Sequence, residues 1–95
     1  MTESKMPISK PLDRIFEVYC HVNATNIELL SDHCKQENWS YATPSEYKDQ
    51  LWRAISERTI SISEYDRITR EEFDTEEGLY AWLTEVWNKT IGEPL

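Results

Sequence analysis

Apolar residues recur with a helical period in four separate stretches of this chain, and each stretch carries its own start signal. Leu12, Ile15, Phe16, Tyr19 and Val22 fall on the i, i+3, i+4, i+7 pattern of one buried stripe. Pro11 precedes them, at a position where a missing N–H costs nothing, so a first helix is expected from Pro11 to about Val22. Asn23-Ala24 ends it. Thr25-Asn26-Ile27-Glu28 then matches a capping box, in which the Thr hydroxyl and the Glu carboxylate satisfy free backbone donors. The helix it opens should bury Ile27, Leu30 and Cys34 and run out near Asn38.

Thr43-Pro44-Ser45-Glu46 is a stronger start signal, because it joins a capping box to Pro at the first helical position. Tyr47, Leu51, Ala54 and Ile55 follow as an apolar stripe to about Arg58. Asp74-Thr75-Glu76-Glu77 opens the last long helix, with Leu79, Trp82, Leu83 and Val86 on one face. The acids in its first turn suit the positive end of the helix dipole. Gly78 costs this helix up to ~1 kcal/mol relative to Ala.

The stretch from Thr59 to Phe73 reads two ways. Thr59-Ile60-Ser61-Ile62-Ser63 alternates like a strand, but a lone strand needs a partner. Ser63-Glu64-Tyr65-Asp66 instead suits the cap of a short helix, with Asp66 and Arg70 as an i, i+4 pair. A hairpin would need a turn near Glu64–Asp66, where neither Gly nor Asn stands. A short extended entry followed by a short helix is the favoured reading.

The fold expected is therefore mainly α: a small single-domain bundle of four to five helices over residues 11–95, with 59–73 open to a short β element. Stripes of helical period can cover one another, whereas strand signals are confined to one segment. Residues 1–10, with Pro7 and several small polar residues, read as a flexible lead-in.

Composition sharpens this picture. A chain of 95 residues has room for a single core. At this mass it exposes roughly 5,700 Å² when folded, of which a standard interface covers ~800 Å². Eleven aromatic residues, four of them Trp, separate it from disordered acidic tails.

Charge is concentrated. Glu64, Asp66, Glu71, Glu72, Asp74, Glu76 and Glu77 oppose only Arg67 and Arg70, so seven negative and two positive charges leave −5 in this segment, out of −8 for the chain. Like charges at this density repel, and the segment lowers stability unless something outside the fold rewards it. A basic protein surface fits that requirement. The same charge argues against direct binding to nucleic acid or to an anionic membrane. Tyr80 and Trp87 follow the acidic run, flank the last apolar stripe and are expected to supply an apolar anchor for such a partner, through burial and cation–π contact. Trp39 and Tyr41, before Thr43, are expected to cover the core.

Other chemistry is poorly supported. Cys20-His21 and His33-Cys34 provide the right number of zinc ligands. Adjacent helical residues, however, point about 100° apart and rarely reach one ion. Cys34 reads better as a small core residue, with Cys20 at the edge of its stripe. No nucleophile elbow or glycine-rich phosphate loop is present, and acids crowded on a polar surface are usually solvated rather than tuned for proton transfer. No catalytic residue, metal or cofactor is assigned. No apolar run approaches the ~18–20 residues of a membrane span, and the first ten residues lack the apolar stretch of a secretory signal. A cytoplasmic setting with reduced thiols is expected.

In general character (short, acidic, aromatic, glycine-poor and without a catalytic motif) the chain resembles bacterial immunity proteins, antitoxins and phage-encoded inhibitors, which are varied in fold. The function expected is stoichiometric neutralisation of a basic protein, such as a toxin nuclease or another nucleic-acid-binding enzyme, whose phosphate-binding surface carboxylates would cover. A non-inhibitory accessory subunit of a larger complex is the alternative.

Overall fold

The computed structural model describes residue 8 and residues 10–94. Five helices follow one another: α1 (Leu12–Tyr19), α2 (Ile27–His33), α3 (Pro44–Glu57), α4 (Ile62–Thr69) and α5 (Glu76–Thr90). Among the described residues there is no strand. The protein is a small, mainly helical bundle, as the apolar periodicity requires. Helix α5 lies against both α2 and α3, and α1 packs on α4. The lead-in expected over residues 1–10 falls largely outside the described residues; of its described members, Lys10 is exposed and Ile8 is buried in the core.

Local signals decide some helix ends and tertiary bonds decide others. At α3 the capping box forms in full. The Thr43 hydroxyl accepts from the Glu46 N–H at 3.2 Å, and a Glu46 carboxylate oxygen accepts from the Thr43 N–H at 3.0 Å. Pro44 occupies the first helical position. Tyr47, Leu51 and Ala54 are buried as expected, with Ile55 packed at the edge.

Helix α1 stops three residues short of Val22. The Val22 N–H donates to the carbonyl of Thr69 at 2.8 Å, and the Asn26 N–H donates to that of Tyr19 at 2.8 Å. These bonds draw the chain off the helical path and leave Val22 49% exposed. Helix α2 starts one residue later than the expected box. Asn26 is its cap, accepting from the Leu29 N–H at 3.0 Å, while the Thr25 hydroxyl donates to the His21 carbonyl at 2.8 Å. It ends at His33, not near Asn38. The Lys35 ammonium donates to the Ser31 carbonyl at 3.1 Å, a side-chain finish to the last turn. After the buried Cys34, the run Lys35-Gln36-Glu37-Asn38 holds no apolar position to continue the stripe.

The 59–73 stretch takes the extended-then-helical form. Ser61 caps α4, its hydroxyl accepting from the Glu64 N–H at 3.1 Å, two residues ahead of the expected cap at Ser63. Arg70 ends α4 in the left-handed region, with φ 65°. The expected Asp66–Arg70 pair is thereby lost, since Arg70 has left the helical path. Arg67 instead donates to both carboxylate oxygens of Glu64, at 2.9 and 3.2 Å. At α5 the cap is Thr75, whose hydroxyl accepts from the Gly78 N–H at 3.1 Å.

Aromatic side chains bind the helices together. Tyr65 of α4 meets Phe16 of α1 edge to face, centroids 5.3 Å apart, and its hydroxyl accepts from the Trp82 indole at 2.6 Å. Tyr47 of α3 reaches the Thr90 hydroxyl of α5 at 2.9 Å. The Thr90 hydroxyl donates to the Val86 carbonyl, so Tyr47 is the donor of that bond. Trp39 and Tyr41 pack on Tyr19, as core cover.

Candidate functional site

The acidic segment runs from Glu64 in the first turn of α4 through the connection to α5 and into the first turn of α5, and the fold divides its members. Asp66, Glu72, Asp74 and Glu76 line one open groove of about 580 Å³, whose apolar part is Ile62 and Phe73. Ser61 and Ser63 complete the side formed by the start of α4. Ile62 and Phe73 are half-buried, so they lean on the core while keeping contact with the groove.

The remaining acids are placed elsewhere. Glu64 is largely covered and committed to Arg67. That fork of two bonds, more than the opposing effect of burial, holds its carboxyl below the ordinary value of 4.5. Glu71 stands close enough to Cys20 and Tyr65 to add to the upward push that burial gives both groups. Glu77 is exposed and does not line the groove.

Within the groove, Glu76 lies 3.7 Å from the Arg58 guanidinium, which also sits 5.0 Å from the centre of the Tyr80 ring. No ion pair of the described residues involves Asp66, Glu72 or Asp74. Three carboxylates therefore line one groove without a counter-ion among the described residues.

Tyr80 and Trp87 do not anchor this surface. Tyr80 is 4% exposed and Trp87 1% exposed, and both belong to the core. They stand seven residues apart on α5 and are buried with Leu79, Leu83 and Val86, Tyr80 against Ile60. Trp82 is the half-buried one. Neither Tyr80 nor Trp87 is exposed, contrary to the anchor role expected of them. The apolar contact that the groove does offer comes from Ile62 and Phe73. Phe73 stands inside the acidic run, and Ile62 belongs to the alternating apolar stretch at 59–63; neither signal distinguishes a groove wall from core.

The cysteines and histidines are engaged separately. Both thiols are free and buried. Burial, helped by Glu71, pushes the Cys20 thiol up to about 12 against a hydrogen bond from Tyr65 that works the other way. His21 Nδ1 accepts from the Asn23 N–H at 3.1 Å, and His33 Nδ1 lies 2.7 Å from the Tyr19 hydroxyl. Among the described residues no group of three or more His, Cys, Asp or Glu is placed to hold a metal ion, and no helix is long and apolar enough to cross a membrane. No protein-family model matches this chain, and neither a curated protein nor a solved structure matches it.

Proposed function

We propose that this protein acts by stoichiometric binding of a basic protein partner in the groove between α4 and the start of α5. The observation that carries this reading is the grouping of Asp66, Glu72 and Asp74, without a counter-ion among the described residues, around half-buried Ile62 and Phe73. An uncompensated acidic groove raises the free energy of the isolated fold, and a cationic surface relieves that repulsion. The apolar wall adds burial for the aliphatic stems of Arg or Lys, which shed water while their heads meet carboxylates. Opposite charge also speeds the encounter.

The partner class favoured is a nuclease or another enzyme that handles nucleic acid in the cytoplasm. Such an enzyme must carry a cationic surface for phosphates, and grouped carboxylates can occupy the phosphates' places. Inhibition is the expected consequence. Capture of the partner from the native cell, followed by assay of its activity with increasing amounts of this protein, tests it. Loss of activity that completes at a 1:1 ratio is the expected result. Unchanged or increased activity would replace inhibition by an accessory-subunit role, and failure of any basic protein to bind would overturn the reading.

A further inference from the structure

The connection over residues 35–42, between α2 and α3, packs Trp39, Tyr41 and Ala42 on the core, and Trp39 is hydrogen-bonded to a single hydroxyl group there. Tyr19 is buried at the end of α1, and its Oη lies 2.7 Å from His33 Nδ1 on α2. The Trp39 Nε1–H, from the connection itself, donates to the same oxygen at 3.1 Å. An indole N–H can only donate. Tyr19 is therefore the acceptor towards Trp39, and its own hydrogen has His33 Nδ1 as its acceptor. No other acceptor for that hydrogen occurs among the described residues. The bonds within the protein are thus satisfied when His33 Nδ1 is the acceptor and the ring proton sits on Nε2.

A second proton on His33 would occupy Nδ1. Two donors would then face the Tyr19 oxygen, and the phenolic hydrogen would lose its acceptor within the protein at this half-buried place. We propose that Tyr19, His33 and Trp39 form a proton-sensitive latch, in which protonation of His33 releases Trp39 and loosens residues 35–42 from the core. The latch is independent of the partner-binding groove.

The surroundings of His33 favour this behaviour. From α1 it faces Tyr19, edge to face at 5.8 Å between centroids, and Tyr19 in turn carries Trp39 and Tyr41 of the connection at 6.1 Å. No ion pair of the described residues involves His33. The nearest formal charges along its own chain are Asp32 and Lys35, the latter directed to Ser31. From α5, Lys89 lines the same groove as Asp32. His33 also stands in the last turn of α2, where the helix dipole favours a cation. Trp39 further meets Tyr47 of α3 edge to face at 5.7 Å, so its release reaches the third helix.

Hydrogen exchange at the Trp39 indole, followed by NMR on the intact protein at about pH 7.5 and about pH 5.5, spans the range in which imidazoles titrate. After correction for intrinsic exchange, protection at Trp39 should fall about tenfold, with the midpoint of the His33 ring titration. The Trp82 indole, bonded to Tyr65, should keep its protection. His33→Gln retains an acceptor that does not titrate, so it should hold Trp39 equally at both pH values. Constant protection while the His33 ring titrates would overturn the latch. So would an equal fall in His33→Gln, or a parallel fall at Trp39 and Trp82.

Discussion

The hydroxyl of Tyr80 serves both backbone polar groups of Ile60: it accepts from the Ile60 N–H at 2.8 Å and donates to the Ile60 carbonyl at 2.6 Å. Ile60 is 1% exposed, so neither group has water to turn to. This one side chain performs what a neighbouring strand would have done for the alternating segment 59–63. It explains how a sequence with strand character is held in extended form without a sheet.

Replacing Tyr80 by Phe keeps the ring and removes both bonds. Two buried backbone groups are then orphaned, at ~1–3 kcal/mol each. Chemical denaturation should show Tyr80→Phe destabilised by about 2–6 kcal/mol, with helix content preserved at low denaturant. A loss within ~0.5 kcal/mol, the range of an ordinary surface change, would mean that the hydroxyl is not what holds residues 59–61.

The two capping sites give a sharper contrast. Thr43→Ala removes the hydroxyl that accepts from the Glu46 N–H, while the Thr43 N–H keeps its bond to the Glu46 carboxylate; it should cost about 1 kcal/mol, and Asn26→Ala should cost a similar amount at α2. Thr25→Ala should cost less than Asn26→Ala, because the Thr25 hydroxyl bonds His21 and does not cap the helix. Urea midpoints of the three variants, measured together, decide whether α2 is capped by Asn26 or by the residue before it.

The pattern of successes follows from where each signal resides. The α3 start is complete within Thr43-Pro44-Ser45-Glu46, so it is legible without the rest of the chain. The end of α1 is not, because it depends on Val22 meeting the Thr69 carbonyl from a helix much later in the sequence. Residues 64–77 are visibly acidic, but their division is not visible. Glu64 turns to Arg67, Glu71 faces Cys20 and Tyr65, and Asp66 joins Glu72 and Asp74 across the end of α4. Tyr80 and Trp87 flank an apolar stripe that is correct, yet periodicity cannot say which residues beside it are buried.

Buried hydroxyl and thiol groups set the alkaline limb of stability. Burial raises Cys20 from 9.0 to about 12 and raises Tyr47 and Tyr65 as well. A folded pKa above the unfolded one means that the unfolded chain loses its proton first as pH rises. The stabilisation is complete below about pH 9 and is lost as pH climbs towards the folded values. Denaturation midpoints should therefore fall steadily above about pH 9. The Cys20 thiol should resist alkylation until the protein unfolds. At the acid end Glu64, lowered by Arg67, contributes above its ordinary 4.5 and loses that contribution as pH falls below it. Glu64→Gln should flatten part of the acid limb.

If the α4–α5 groove recognises a basic partner, reversing its charge must weaken the complex. Asp66→Lys, Glu72→Lys and Asp74→Lys, made together, leave Glu76 with Arg58 and Glu64 with Arg67. None of the three makes an ion pair among the described residues, so the variant should remain helical and cooperatively folded. Calorimetric or interferometric titration with the captured partner at low salt should show binding weakened by about 100-fold or more, and the wild-type affinity should fall as salt is raised. A folded triple variant that binds the same partner with unchanged affinity at low salt would contradict the account.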